Sequence, residues 1–139
     1  MRGSWLLVAI ALLSCTKKSP PPPAFSLADV AGNWNVRAMR DTGDAVITEY
    51  QMSGTADPAS WTMTLPNRRP MRLKVSVDAD SFMVETPPYP SILHEGVAVV
   101  SKGVSRLRDG KLVGTFVAKY ATRIVDSVLT GRTEGTRAP

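Results

Sequence analysis

Between Met71 and Asp78 apolar and polar residues alternate without exception: Met71, Leu73, Val75 and Val77 fall on one side, and Arg72, Lys74, Ser76 and Asp78 on the other. A period of two residues is that of a β-strand with one face in oil and the other in water, and no helix keeps such a set on one side. The pattern recurs along the chain. Trp34, Val36 and Ala38 share a face over Asn33 to Arg40, and Val46 to Ser53 is a β-rich run carrying Ile47, Thr48, Tyr50 and Met52. Trp61, Met63 and Leu65 lie opposite Thr62 and Thr64, before a turn over Pro66 to Pro70. Asp78-Ala79-Asp80 turns into a short strand with Phe82 and Val84 in phase, and Pro87 to Pro90 interrupts pairing. A long strand over Glu95 to Arg108 returns through Asp109-Gly110, the residues a type I′ turn wants because both its central positions have positive φ. Leu112, Gly114, Phe116, Ala118 and Tyr120 share the return face, and Ser127 to Glu134 supplies a last strand. Only Phe25 to Ala31 offers a helical turn, capped by Ser26. About eight strands joined mostly by short turns predict an all-β domain over residues 25–139, an antiparallel up-and-down barrel or half-barrel. Period-two patterning alone does not separate a barrel from a two-sheet sandwich.

What precedes residue 25 is different in kind. Met1 to Ser4 carries one positive charge, and Trp5 to Leu13 is an apolar run too short to span a bilayer, which takes about 20 residues. That layout predicts a secretory signal over residues 1–14. The boundary Leu12-Leu13-Ser14-Cys15 resembles the lipobox of bacterial lipoprotein precursors. The resemblance implies that Cys15 is lipidated, palmitate being a typical chain, and becomes the mature N-terminus anchored to a membrane. At roughly 0.8 kcal/mol per buried methylene, two or three chains hold a protein far longer than one. The family's rule for the residue after the cysteine implies, with Thr16 there, an outer-membrane lipoprotein facing the periplasm in a host with two membranes. Cys15 is also the only cysteine, so no internal disulfide exists and the domain must hold together by core packing. Residues 15–24, with Pro20 to Pro23, predict a stiff polyproline tether of about 3 Å per residue.

The segment Leu27 to Trp34 resembles the entry to a lipocalin, where a helical turn leads into a Gly-x-Trp signature. The matching residues are Gly32 and Trp34. The resemblance implies that Trp34 plugs the barrel's closed end beneath an arginine of the last strand, with Arg132 as the candidate and Arg137 in reserve. The domain is shorter than a typical lipocalin.

The residues offer little chemistry. His94 is the sole histidine, so Ser-His-Asp, Cys-His and multi-histidine metal sites lack parts, and no catalytic residue, metal or cofactor is assigned. Glu49, Glu85 and Glu134 are carboxylates whose meeting in space the sequence does not fix. A formal charge of +5 with scattered basic residues reads as a solvated surface, and an exported address argues against nucleic acid. Methionines and aromatics stand out among the strands. Trp61, Met63, Phe82, Phe116 and Tyr120 are the candidate lining of a site for a small hydrophobic or amphipathic ligand, because methionine adapts to irregular apolar shapes. The alternative is a filled core in a non-catalytic structural or interaction lipoprotein of the cell envelope, its protein partners unknown. An interior of roughly 300 Å³ or more favours capture, and a packed one favours the alternative.

Overall fold

A computed structural model describes residues 25–122 and 127–139; the expected leader, Cys15 and the tether lie outside the described residues. The alternation is realised as one antiparallel sheet of ten strands: β1 (Gly32–Arg40), β2 (Val46–Gly54), β3 (Thr62–Thr64), β4 (Met71–Arg72), β5 (Lys74–Asp78), β6 (Ser81–Glu85), β7 (Tyr89–Pro90), β8 (Ala98–Arg108), β9 (Lys111–Tyr120) and β10 (Val128–Arg137). A one-turn helix, α1 (Leu27–Val30), precedes them. The strand order is β4-β3-β2-β1-β10-β9-β8-β6-β5, with β7 against the start of β8.

The two edge strands, β4 and β5, are separated only by Leu73. The sheet therefore curls until its edges are consecutive stretches of one chain, which nearly closes a barrel and leaves little unpaired edge. Leu73 makes the corner: its side chain is buried, and its amide donates to the Trp61 carbonyl at 2.9 Å. This is where the clean alternation of Met71 to Asp78 departs from one continuous strand. Its apolar face is kept, but the first two residues pair with β3 and the last five with β6. Two other boundaries move. Tyr89 and Pro90, expected only to break pairing, lie beside Val99 and Ala98 at the start of β8. The last strand runs three residues past Glu134, so that Trp34 pairs with Arg137. The expected hairpin turn forms, with Asp109 at φ 50° and Gly110 at φ 77°.

One end of the barrel is filled. Trp34, Trp61 and Phe82 are fully buried there, and Val36, Met52, Met63, Leu65, Leu73 and Leu112 pack around them. Each large side chain withdrawn from water contributes roughly 1.5–3 kcal/mol. Trp61 lies tilted on Phe82 with ring centroids 4.8 Å apart. The indole also lies against Gly54, where an added Cβ would come within 2.1 Å of its ring, so this position admits no side chain without displacing Trp61.

Helix α1 closes this end through a set of hydrogen bonds to its last carbonyls, which a helix leaves without partners of its own. Trp34 Nε1 donates to the Val30 carbonyl at 2.8 Å. Arg137 donates from Nη1 to Ala31 O at 2.8 Å and from Nη2 to Asp29 O at 3.0 Å. The chain enters β1 through Gly32 at φ +130°, a conformation that side chains rarely adopt, which is why a glycine stands two residues before the plug tryptophan.

Candidate functional site

Inward positions change character toward the opposite end. Past Val99 the inward residues of β8 are small, Ser101, Gly103 and, next to the filled end, Ser105, and on β9 Ala118 faces inward near the open end. These small side chains cannot meet across the barrel, and an apolar cavity of about 100 Å³ opens between them. Its walls include Val36, Ala38 and Tyr50 from β1 and β2, Val84 from β6, and Phe116, Ala118 and Tyr120 from β9. The mouth lies among the β1–β2 turn, the loop between β7 and β8, and the start of β10. Ile92 and Leu93 of the β7–β8 loop line it while standing 43% and 41% exposed, so apolar surface continues from the interior onto the rim. Arg68 holds that loop in place by donating to the Pro90 carbonyl and, at 3.3 Å, to the Ser91 carbonyl.

A polar strip runs through the apolar wall. Tyr89 and Ser101 share a hydrogen bond between hydroxyls at 2.9 Å, Thr86 Oγ1 accepts from the Ser101 amide at 2.9 Å, and Ser91 Oγ accepts from the Leu93 and His94 amides at 3.1 and 3.0 Å. Burial pushes the Tyr89 hydroxyl above its ordinary pKa, against the lowering effects of its bond to Ser101 and of Arg68. Burial, with the charge of Tyr89 adding to it, pushes Tyr50 far higher. Both phenols therefore stay protonated at any physiological pH.

Of the five residues expected to line a ligand site, Met63, Phe116 and Tyr120 lie on the wall of this cavity. Trp61 and Phe82 do not: they stack on each other in the filled half, because the corner at Leu73 brings β3 and β6 together there. Tyr50, Tyr89, Thr86 and Ser101 were not anticipated, though the inward phase of Ser101, Gly103 and Ser105 on one strand was a readable sign of space. Tyr120 also packs edge-on against His94, with centroids 5.0 Å apart.

The arginine above Trp34 is Arg137, not Arg132. Its guanidinium sits 4.4 Å from the ring centroid. Strand parity explains the correction: Gly131, Thr133, Gly135 and Arg137 share the inward phase of β10, whereas Arg132 points outward. Arg132 instead braces the β1–β2 turn, donating to the Gly43 carbonyl at 2.5 Å and pairing with Asp44 at 3.7 Å.

The carboxylates lie on the outer surface. Glu49 pairs with Arg37 at 3.7 Å, Glu85 with Lys102 at 3.9 Å and Glu134 with Lys111 at 3.4 Å. Glu49 and Glu134 flank Arg37 across β2, β1 and β10, which holds them about two strand spacings, roughly 10 Å, apart. Among the described residues no group of three or more His, Cys, Asp or Glu side chains is placed to hold a metal ion. A polar hollow of about 330 Å³ lies outside β1–β3 beside Ala138 and Pro139, walled by side chains such as Asn35, Gln51 and Thr64.

No family model matches the chain, and no curated protein or solved structure matches it either. Similarity to lipocalins accordingly rests on the antiparallel barrel and on the Gly32 and Trp34 closure of one end.

Proposed function

We propose that this protein is an exported lipoprotein, held through Cys15 to the envelope membrane, whose barrel takes a small hydrophobic or amphipathic ligand into its open half. The observation that carries this reading is the apolar cavity continuous with the exposed rim at Ile92 and Leu93. Its volume of about 100 Å³ falls short of the roughly 300 Å³ needed to enclose a whole small molecule. The ligand therefore enters by one slender end, with its remainder at the mouth. In a host with two membranes the protein sits on the outer membrane and faces the periplasm.

Native mass spectrometry of protein extracted from its own membrane is expected to reveal a co-purifying apolar molecule, and the Ala118→Leu variant is expected to lose it. Ala118 is 5% exposed and faces inward, so the added carbons occupy the cavity. A wild-type protein that carries no ligand and takes up no apolar dye would overturn the capture reading. The anchor is tested separately: Cys15→Ser should abolish incorporation of labelled palmitate, and continued labelling of that variant would refute the assignment.

One observation favours the second reading, a structural or interaction lipoprotein. Met83 and Val104, paired across β6 and β8, stand 39% and 41% exposed, and Val113 and Val117 on neighbouring β9 stand 45% and 37% exposed. These apolar side chains, set among Lys102, Arg106 and Thr115 on the outside of the barrel, offer a surface on which an envelope partner would rest.

A further inference from the structure

Aliphatic side chains stand exposed all round the mouth. Val46 opens β2 just after the β1–β2 turn, Ile92 and Leu93 belong to the β7–β8 loop, and Val128 opens β10. The apolar wall of the cavity thus runs out onto an apolar rim. Charge is divided along the same axis. Around the mouth stand Arg40, Arg68, Arg69, Lys119 and Arg132, against Asp41, Asp44 and Glu95. Around the filled end the balance is reversed: Asp29, Asp57, Asp78, Asp80, Asp109 and Glu134 outnumber Arg106, Arg108, Lys111 and Arg137. The open end is therefore the positive pole of the barrel. Among the described residues Arg40, Arg69 and Lys119 make no ion pair, which leaves their charges to an outside partner.

An apolar rim set among cations and continuous with an apolar interior matches the surface of an anionic bilayer. Headgroup phosphates meet the cations, and acyl chains meet the aliphatic side chains. The reach of the chain allows the contact. Helix α1 lies at the filled end, and residues 15–24 span about 30 Å when extended. The 11 residues of β8, the longest strand, cover roughly 36 Å, or roughly 28 Å along the barrel axis at a tilt of about 40°. Cys15 and the mouth can therefore lie on one bilayer.

We propose that the mouth docks on the anionic surface of the bilayer that holds the lipid anchor, with Val46, Ile92, Leu93 and Val128 among the headgroups and Arg40, Arg69 and Lys119 on their phosphates. The inference rests on the ligand-capture reading and names the source of the ligand: an acyl chain passes from the bilayer into the cavity without crossing water.

Cys15 is the sole cysteine and the anchor occupies it, so Leu93→Cys offers one free thiol for a polarity-sensitive fluorophore. The lipidated protein is placed in nanodiscs of phosphatidylcholine, alone or with phosphatidylglycerol, and a label at Lys111→Cys, beside the filled end, serves as the comparison. On the anionic discs the label at 93 should shift to shorter wavelength and be quenched by spin-labelled lipid, while the label at 111 stays in water. Salt at 1 M, which shortens the Debye length to about 3 Å, should weaken the shift. Lys119→Gln should lower the ratio of docked to undocked protein roughly 5-fold, the value of one basic residue near an anionic surface. The inference is overturned if the label at 93 stays in water on anionic discs, or if it behaves alike on neutral ones. Shielding without quenching by spin-labelled lipid, as a second copy or a protein partner would produce, overturns it too. Docking in a protein whose native mass spectrum shows no apolar molecule would sink capture alone; a captured molecule with the label in water would sink docking alone.

Discussion

Trp61→Ala is expected to lower the unfolding free energy by about 3–5 kcal/mol, read as a drop in urea midpoint at an unchanged slope. Against the roughly 5–15 kcal/mol of an ordinary domain, that removes about a fifth or more of the stability. Three features of the site set the size of the loss. Trp61 is fully buried and tilted onto Phe82, so its removal leaves a cavity in the middle of the filled half. Its Nε1 donates to the Thr55 carbonyl at 3.0 Å, which loses its partner. Gly54 has no side chain with which to fill the space above the ring. Val113→Ala, at a position 45% exposed, serves as the comparison and should move stability by no more than about 0.5 kcal/mol. A loss below about 1 kcal/mol for Trp61→Ala would contradict the packing described. Trp61→Phe, a milder change, should cost stability and leave ligand affinity intact, because the ring lies outside the cavity wall.

The strands were legible because each carries its own burial pattern. Val36 on β1, Leu73 at the corner and Leu112 on β9 all point inward, as simple alternation requires. The Asp109-Gly110 turn was legible for a local reason too, since positive φ is a property of those two residues and not of their surroundings. The break at Leu73 was not. Nothing in the alternation of Met71 to Asp78 marks it, because the residue keeps its inward phase while its backbone turns from one partner strand to another. Closure of the barrel is a long-range property, and it resolves the choice between barrel and sandwich that local patterning left open.

The cavity was less legible than the core for the same reason. Phe116 and Tyr120 line it and Phe82 does not, although all three are inward-facing aromatics of β-strands. Height along the barrel separates them, and height depends on register. Phe82 lies beside Ser105, near the hairpin at the filled end, whereas Tyr120 lies beside Val99 at the mouth. The choice between Arg132 and Arg137 is instructive in the opposite direction. Parity alone would have settled it, since an arginine above the inward-facing Trp34 must share the inward phase of its own strand.

Trp34 is the second position where a large effect is expected. Trp34→Ala should cost about 3–5 kcal/mol, lowering the melting temperature by roughly 10–20 °C for a domain of this size. The side chain is fully buried, and its loss also frees the Val30 carbonyl and removes the surface on which the Arg137 guanidinium rests. The milder pair Trp34→Phe and Arg137→Gln, made singly and together, isolates the contact between them. Because the Arg137 side chain is exposed, the coupling should be modest, about 0.5–1 kcal/mol. The remaining cost of Arg137→Gln then comes from the Asp29 and Ala31 carbonyls it leaves without donors. The same cycle with Arg132→Gln should give no coupling to Trp34, since Arg132 faces outward and its bonds go to the β1–β2 turn. Coupling to Arg132 and none to Arg137 would mean that β10 is shifted by five residues in its register, an odd number that inverts its parity. Such a shift would turn Gly131, Thr133 and Gly135 outward and dismantle the wall of the cavity together with the closed end.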